Sequence, residues 1–469
     1  MCRYQSIQRF VLLLLCCSLL FCNKPIDVKP EFKTNNEILS VATPIAGYTT
    51  ADVYVANGYM GKLSYYTGDS IDVYISAKSI IRKARLGVFD AAGILVDYIH
   101  CDSIIPQATT TAKPYEQGFG YRYKILFKLT SPLKSGVYQI SKKIPFLIKA
   151  TIPSKQVLVV YPSNTVNAYN KAGGAGSYSS PRAYITSFLR PAPILKFNNE
   201  FIKWNGTAYA FDYITDLDLE VYDSIQQYKM MIIIGHSEYW ARNARINFDR
   251  FIDAGKHALV LSGNTAWWQV RYSADKTQMI CYKDILLDPE PNALLKTIKW
   301  TTASLKLKII PSFGQDFSLG GYGTKVDSGW NGFKILLPQS PILAGTGLKY
   351  EDVLSCPTVE FDGTYLIRNQ TSPHPILDTA KLKFYRAELL GYDMGAVSKT
   401  TIGTFIAFKK TQTSGVIINV GSTDWCSTVG FAGISGNSIK LITANSINLL
   451  MTDQNVFASG IKDTAAIRR

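Results

Sequence analysis

Four stretches hold residue types that titrate, ligate or hydrogen-bond, and each directly follows an apolar run. Ser163, Asn164, Thr165, Asn167, Tyr169 and Asn170 follow "QVLVVYP". Gly235, His236, Ser237, Glu238, Tyr239 and Trp240 follow "MMIII". Asn264 and Thr265 follow "HALVLSG", with Trp267 and Trp268 close behind. Gly421, Ser422, Thr423, Asp424 and Trp425 close the run "GVIINV". If these runs are strands of an open α/β sheet, the polar groups converge beyond the carboxyl ends of the strands, where such sheets bind ligands. A histidine there suits proton transfer, and the tryptophans suit an apolar wall for a small or stacked ligand. Plainer readings stand beside these. His236 would be a satisfied turn histidine, Glu238 a cap on the next helix, and the tryptophans packing. Several other templates are missing. "GHSEY" lacks the second glycine of GxSxG, and there is no HExxH, no GxxxxGK[ST] and no CxxC pair.

The elements that must position these residues can be read from patterning. Residues 45–150 alternate apolar and polar, with turns at Thr67-Gly68-Asp69 and at residues 90–93, which suggests an antiparallel, immunoglobulin-like β-sandwich. From about residue 156 the strands become continuously apolar, as expected when both faces are buried. "ILKFNNEFIKW", "DLDLEVYDSIQQY" and "EYWARNARINFDRFIDAG" read as helices. In the last of these, Ala244, Phe248, Phe251 and Ile252 share one face before the Gly255 stop. The alternation predicts a parallel α/β sheet with right-handed crossovers. Residues 300–410 read as inserted β structure, and "SIKLITANSINLLM" as a final helix. The expected organisation is 1–22 signal, 23–40 tether, 41–150 sandwich and 151–455 α/β domain.

With 469 residues, 47% hydrophobic and 18% charged, the chain can bury large cores. Lys+Arg exceed Asp+Glu by 50 − 35 = 15. No long basic run appears, so the charge reads as a solvated surface without a nucleic-acid partner. Arg3 and Arg9 precede a nearly unbroken apolar stretch at residues 10–21, too short to span a bilayer but fitting a secretory signal. Cys22 closes that stretch, in the manner of a bacterial lipoprotein signal with a lipidated cysteine; Cys17 is the fallback and an ordinary cleaved signal the alternative. The expected location is outside the cytoplasm, tethered by lipid to a bacterial membrane surface. Cys101, Cys281, Cys356 and Cys426 are isolated and read as small core residues.

In order along the chain, "VLVVYPSNTVNAYN", "SFLRP", "ITDLDL", "GHSEYW", "SGNTAWWQVR", "AGTGL", "LLGYD" and "GSTDW" resemble the C-terminal part of the large subunit of N,N-dimethylformamidase and its relatives, over about residues 135 to 450. The resemblance implies a β-sandwich followed by a domain similar to class I glutamine amidotransferases. The nucleophilic cysteine of those enzymes is not seen here; Asn264 follows the corresponding Ser-Gly. The resemblance further implies a mononuclear ferric iron held by two tyrosines and a glutamate, hard oxygen ligands for a hard ion. Glu238 matches the glutamate and Tyr169 one tyrosine. The other family tyrosine is placed just after "RP", where this chain has Ala192. Tyr178 or Tyr184 could substitute, or the metal site could be lost. His236 matches a histidine beside the iron, Asn264 a residue that orients substrate or water, and Asp393 stands where relatives often have Glu.

Two functions follow. One is an exported, iron-dependent amidohydrolase cutting an amide C–N bond, with His236, Asn264 and Asp393 as catalytic residues and Tyr169 and Glu238 on the metal. The other is a non-catalytic surface lipoprotein binding a small ligand or carbohydrate in the α/β crevice.

Overall fold

The computed structural model describes residues 38–129, 133–153, 156–193, 198–204, 206–323, 329–368, 372–395, 401–458 and the backbone of 466–468. The signal, Cys17, Cys22 and most of the 23–40 tether lie outside them. The fold is mostly β-sheet with few helices.

Two sheets built from residues 38–149 enclose a core of Val73, Ile75, Leu86, Val88, Ile99, Ile125, Phe127, Ile140 and Phe146. Their long pairs are antiparallel, such as Ile81–Asp90 with Leu95–Ile104. The expectation of a purely antiparallel sandwich is corrected at the edges, where Ile38–Leu39, Thr49–Thr50 and Ser64–Tyr66 join in parallel. The first of these lies in the stretch read as tether. Both expected turns form. Asp69 N–H donates to Tyr66 O, and Asp90 accepts from Gly93 N–H at its carbonyl and from Ile94 N–H at its side chain.

A ten-stranded sheet follows. Its parallel half runs Phe211–Thr215, Val157–Tyr161, Met230–His236, His257–Gly263 and Val416–Asn419. The expected inserted β structure continues it antiparallel through Ile402–Lys409, Arg386–Met394, Gly332–Ile335 and Val353–Ser355. The apolar runs are buried on both faces because alternate side chains enter two different cores. Leu158, Val160, Met231, Ile233 and Val260 pack on one side, with Phe248, Phe251 and Ile252 of the Arg242–Asp253 helix. Val157, Val159, Ile232, Ile234 and Leu259 pack on the other, with Ile439, Ile442 and Ile447 of the Gly436–Met451 helix.

Two expected helices are described in shorter pieces. In "ILKFNNEFIKW", of which 194–197 lie outside the described residues, Asn199–Lys203 form one turn. "DLDLEVYDSIQQY" becomes two 3₁₀ turns. Asp218 explains the second: its carboxylate accepts from Thr215 N–H and Oγ1 and pairs with Lys149 Nζ at 2.7 Å, so it competes with the helical pattern. The four isolated cysteines are buried and free, as the sequence suggested. Among the described residues, no helix is long and apolar enough to cross a membrane.

The chain leaves Val157–Tyr161 for the strand on one side, and leaves Met230–His236 for the strand on the other. This change of direction opens a crevice beyond the strand ends between them. Gly263 shows how tightly the crevice floor is packed. A Cβ there would lie 2.5 Å from Thr423 N and 2.7 Å from Glu360 O, both backbone atoms. Gly263→Ala is expected to lower stability by about 1–3 kcal/mol, measurable as a drop in thermal midpoint; an unchanged midpoint would show that these segments are free to part.

Candidate functional site

The Ser163–Tyr169 helix is fixed where it begins. Asp216, at the end of a neighbouring strand, accepts from Ser163 Oγ and Asn164 N–H. Asn164 Nδ2 donates to Tyr239 O and to Tyr272 Oη. Thr165 Oγ1 accepts the Glu238 N–H at 2.9 Å. One helix therefore positions both Tyr169 and the backbone under Glu238. The loop that follows is gathered by Arg190, of "SFLRP". Its buried guanidinium donates to the carbonyls of Asn167, Ala172, Ala175 and Ser187 and to Asn167 Oδ1. That network presents Tyr178.

The Tyr178 hydroxyl donates to Glu238 Oε1 at 2.5 Å. The Tyr169 ring lies against that of Tyr178, with centroids 4.6 Å apart. Glu238 is 1% exposed, and its Oε2 accepts no hydrogen bond among the described residues; it lies 3.5 Å from His236 Nε2. His236 Nε2 is also 3.2 Å from Glu360 Oε2, which accepts from Asn264 Nδ2 at 2.9 Å. Two phenols, two carboxylates, a histidine and an amide thus meet.

Burial dominates the electrostatics. It pushes Glu238 up, partly opposed by His236 and Lys283. Tyr169 and Tyr178 keep part of their ring surface exposed, but burial around their hydroxyls still pushes both phenols well up, reinforced by the Glu238 charge. Burial would lower His236, but the Glu360 hydrogen bond and the charges of Glu238, Glu360 and Asp424 outweigh it, so the imidazole is raised. Burial would raise Glu360, but His236 and Asn264 outweigh it, so this carboxyl is lowered. A raised imidazole at His236 beside a lowered carboxyl at Glu360 is the pattern of divided acid and base roles. Lys283 lies under Tyr178, its Nζ 3.5 Å from the ring centroid and without a hydrogen-bond partner among the described residues. Burial brings it down to about 8, though Glu238 holds it up.

Asp362, two residues beyond Glu360, holds the Asn264 turn. Its two carboxylate oxygens accept the Asn264 and Thr265 N–H groups at 2.8 and 3.1 Å. Asn264 has φ +48°, a left-handed conformation that needs such support.

Of the residues expected from sequence, Tyr169, Glu238, His236 and Asn264 come together. Asp393 does not join their hydrogen bonds. Its carboxylate accepts the N–H groups of Trp330, Gly332 and Met394 and organises that turn. Ala192 lines a separate cleft with Phe146 and Val166, and Tyr184 stacks on Tyr282 at 5.0 Å and makes no hydrogen bond to Glu238 among the described residues. Tyr178 is the phenol that reaches Glu238. Sequence reading missed Glu360 and Lys283. Glu360 lies in the β-rich region, whose strand pairing "PTVEFDG" does not reveal; Lys283 follows a core cysteine with no motif around it. Trp240 and Trp425 are packing residues, against Phe248 and Phe313 and against Phe333 and Phe405. Among the described residues, no three His, Cys, Asp or Glu side chains are grouped to hold a metal. The convergent donors are two phenols and one carboxylate, and hard oxygen donors with an unbonded carboxylate oxygen are of the chemistry that a hard cation takes.

A mainly β chain with a parallel-stranded sheet half and an acid–histidine–phenol cluster at its strand ends is the class these observations define. The family described as N,N-dimethylformamidase beta subunit-like, C-terminal, matches residues 106–437, and the chain belongs to it. No curated protein matches. Among solved structures, a ThuA-like protein from Bacteroides uniformis is similar over 66% of this chain and 96% of its own, at 13% identity; its TM-score of 0.32 is too low to bear on the fold.

The support of the Asn264 turn has a pH signature. Asp362 is pushed up to about 8 by burial, with Asp316 adding to it and the two N–H donors opposing. Between about pH 4 and pH 8 the unfolded chain has lost this proton and the folded chain keeps it, so stability falls as pH rises. In metal-free protein, Asp362→Asn is expected to flatten that fall by up to about 1.4 kcal/mol per pH unit, read from urea midpoints across the range. A slope equal to wild type would contradict the burial argument.

Proposed function

We propose that the protein is an exported, lipid-anchored amidohydrolase that hydrolyses an amide C–N bond with an iron held by Tyr169, Tyr178 and Glu238. The observation that carries this reading is the buried Glu238 carboxylate, one oxygen bonded to a phenol and the other open, with a second phenol beside it. The hard oxygen donors suit ferric iron. Bound there, the ion supplies Lewis acidity, which polarises an amide carbonyl and acidifies water. In the same reading, residues 38–149 are an immunoglobulin-like sandwich and the parallel sheet is similar to glutamine amidotransferases. The apolar residues 10–21 before Cys22 are the reason for placing the protein on a bacterial membrane surface.

The chain's own groups divide the remaining work. Glu360, kept ionised by His236 and Asn264, accepts a proton from attacking water. His236, raised by its two carboxylate neighbours, holds a proton at Nε2 for the departing nitrogen. Asn264 Nδ2 holds Glu360, while its Oδ1 has no partner among the described residues and is left to accept from substrate N–H or water.

In iron-loaded protein, simple amides are expected to release amine. Glu360→Gln should keep the iron and lower kcat by roughly 10²–10⁴. Full iron occupancy with no amide hydrolysed, or a Glu360→Gln variant as active as wild type, would contradict the reading.

A further inference from the structure

The crevice has an aromatic rim that amide hydrolysis does not require. Tyr322 closes the Asp316–Tyr322 strand and stands directly opposite Glu360 in its antiparallel partner. Opposed residues of a ladder project from the same face, so the ring stands beside the acid. The Tyr322 phenol also feels the charges of Glu360 and Glu238. Yet this residue is 55% exposed. Phe317 packs against it nearly perpendicular at 5.5 Å, and Trp267 meets Phe317 at 5.4 Å. Across the acids stand Tyr169 and Tyr178, 37% and 46% exposed.

The other large rings near the rim are already engaged. Lys299 lies 4.9 Å from Trp267 and 5.7 Å from Trp268, and Lys283 lies 4.9 Å from Trp268. Tyr178 lies between Lys283 and Tyr169. Tyr169 lies between Tyr178 and His236, whose ring centroid is 5.4 Å away. Among the described rings of this rim Tyr322 has most surface left, and it borders the carboxylates. A large exposed aromatic next to buried acids is suited to a flat-faced partner.

We propose that Tyr322 is a substrate platform, and that the amides this site takes carry a flat-faced ring, aryl or pyranose, which stacks on it. The proposal rests on the hydrolytic reading above for the word amide, but the stacking contact needs no iron. Such a contact is remote from the bond being cut and is made in bound substrate and transition state alike, so it acts on KM more than on kcat.

The test uses three amides with one acyl group: acetanilide, N-acetylglucosamine and N,N-dimethylacetamide. In iron-loaded protein, Tyr322→Ala is expected to raise KM for a ring-bearing amide on the order of fivefold relative to N,N-dimethylacetamide, with kcat moving less; Tyr322→Phe should restore it. In metal-free protein, calorimetry should show the ring-bearing amide binding more tightly than N,N-dimethylacetamide, and Tyr322→Ala should remove the difference. A preference for acetanilide assigns an aryl partner, and one for N-acetylglucosamine a pyranose. Ring-bearing amides bound no better than N,N-dimethylacetamide, or a Tyr322→Ala loss equal for all three, would overturn the proposal. Ring-selective binding without hydrolysis of any amide would leave it standing and remove the hydrolytic reading instead.

Discussion

The structure around the crevice is organised by one cost, that of keeping the Glu238 carboxylate where water does not reach. A buried carboxylate without partners is expensive, and the usual escape is to take up a proton. Here the strand end fixes the backbone and Thr165 receives the Glu238 N–H. One oxygen is answered by the Tyr178 phenol, and His236 and Lys283 supply positive charge nearby. The second oxygen accepts no hydrogen bond among the described residues. A cation between that oxygen and the two phenols would complete the arrangement and let all three ionise together. The surrounding devices serve the same end. Asp216 anchors the helix that delivers Tyr169, and Arg190 gathers the loop that delivers Tyr178.

The second half of the site is held by backbone contacts as well as by side chains. Glu360 and Asp362 leave one face of a short strand and divide two tasks. Glu360 faces His236, while Asp362 holds the Asn264 turn in its left-handed conformation. Gly263 permits the close approach that lets Thr423 and Glu360 lie against the same strand end. The reactive groups therefore come from segments distant in sequence yet sit on rigid strand ends, as a site that must hold geometry requires.

Much of this was legible in the amino-acid sequence. Strands buried on both faces announce themselves as unbroken apolar runs, and their polar successors marked His236, Glu238 and Asn264. The helix at Arg242–Asp253 was legible from the spacing of Ala244, Phe248, Phe251 and Ile252. What stayed hidden depends on pairing. The parallel edge strands of the sandwich have no signature distinct from antiparallel ones. Glu360 joins the site only because its strand lies against the Asn264 turn, and Asp393 is drawn away by three backbone donors at 330–332 and 394. The phenol beside Glu238 is the clearest case. Counting from "RP" leads to Ala192, which faces a different cleft, whereas the loop around Arg190 brings Tyr178 to Glu238.

Tyr169, Tyr178 and Glu238 are proposed as one metal-binding set. The most direct measurement is a ferric iron titration of the protein followed by visible absorption, compared with Tyr178→Phe and Tyr184→Phe. Tyrosinate bound to ferric iron absorbs through charge transfer, so wild type should saturate at about one iron per chain with a coloured band. Tyr178→Phe should weaken or shift that band, and Tyr184→Phe should leave it in place. A colourless protein that refuses iron, or a band indifferent to Tyr178→Phe, would contradict the account.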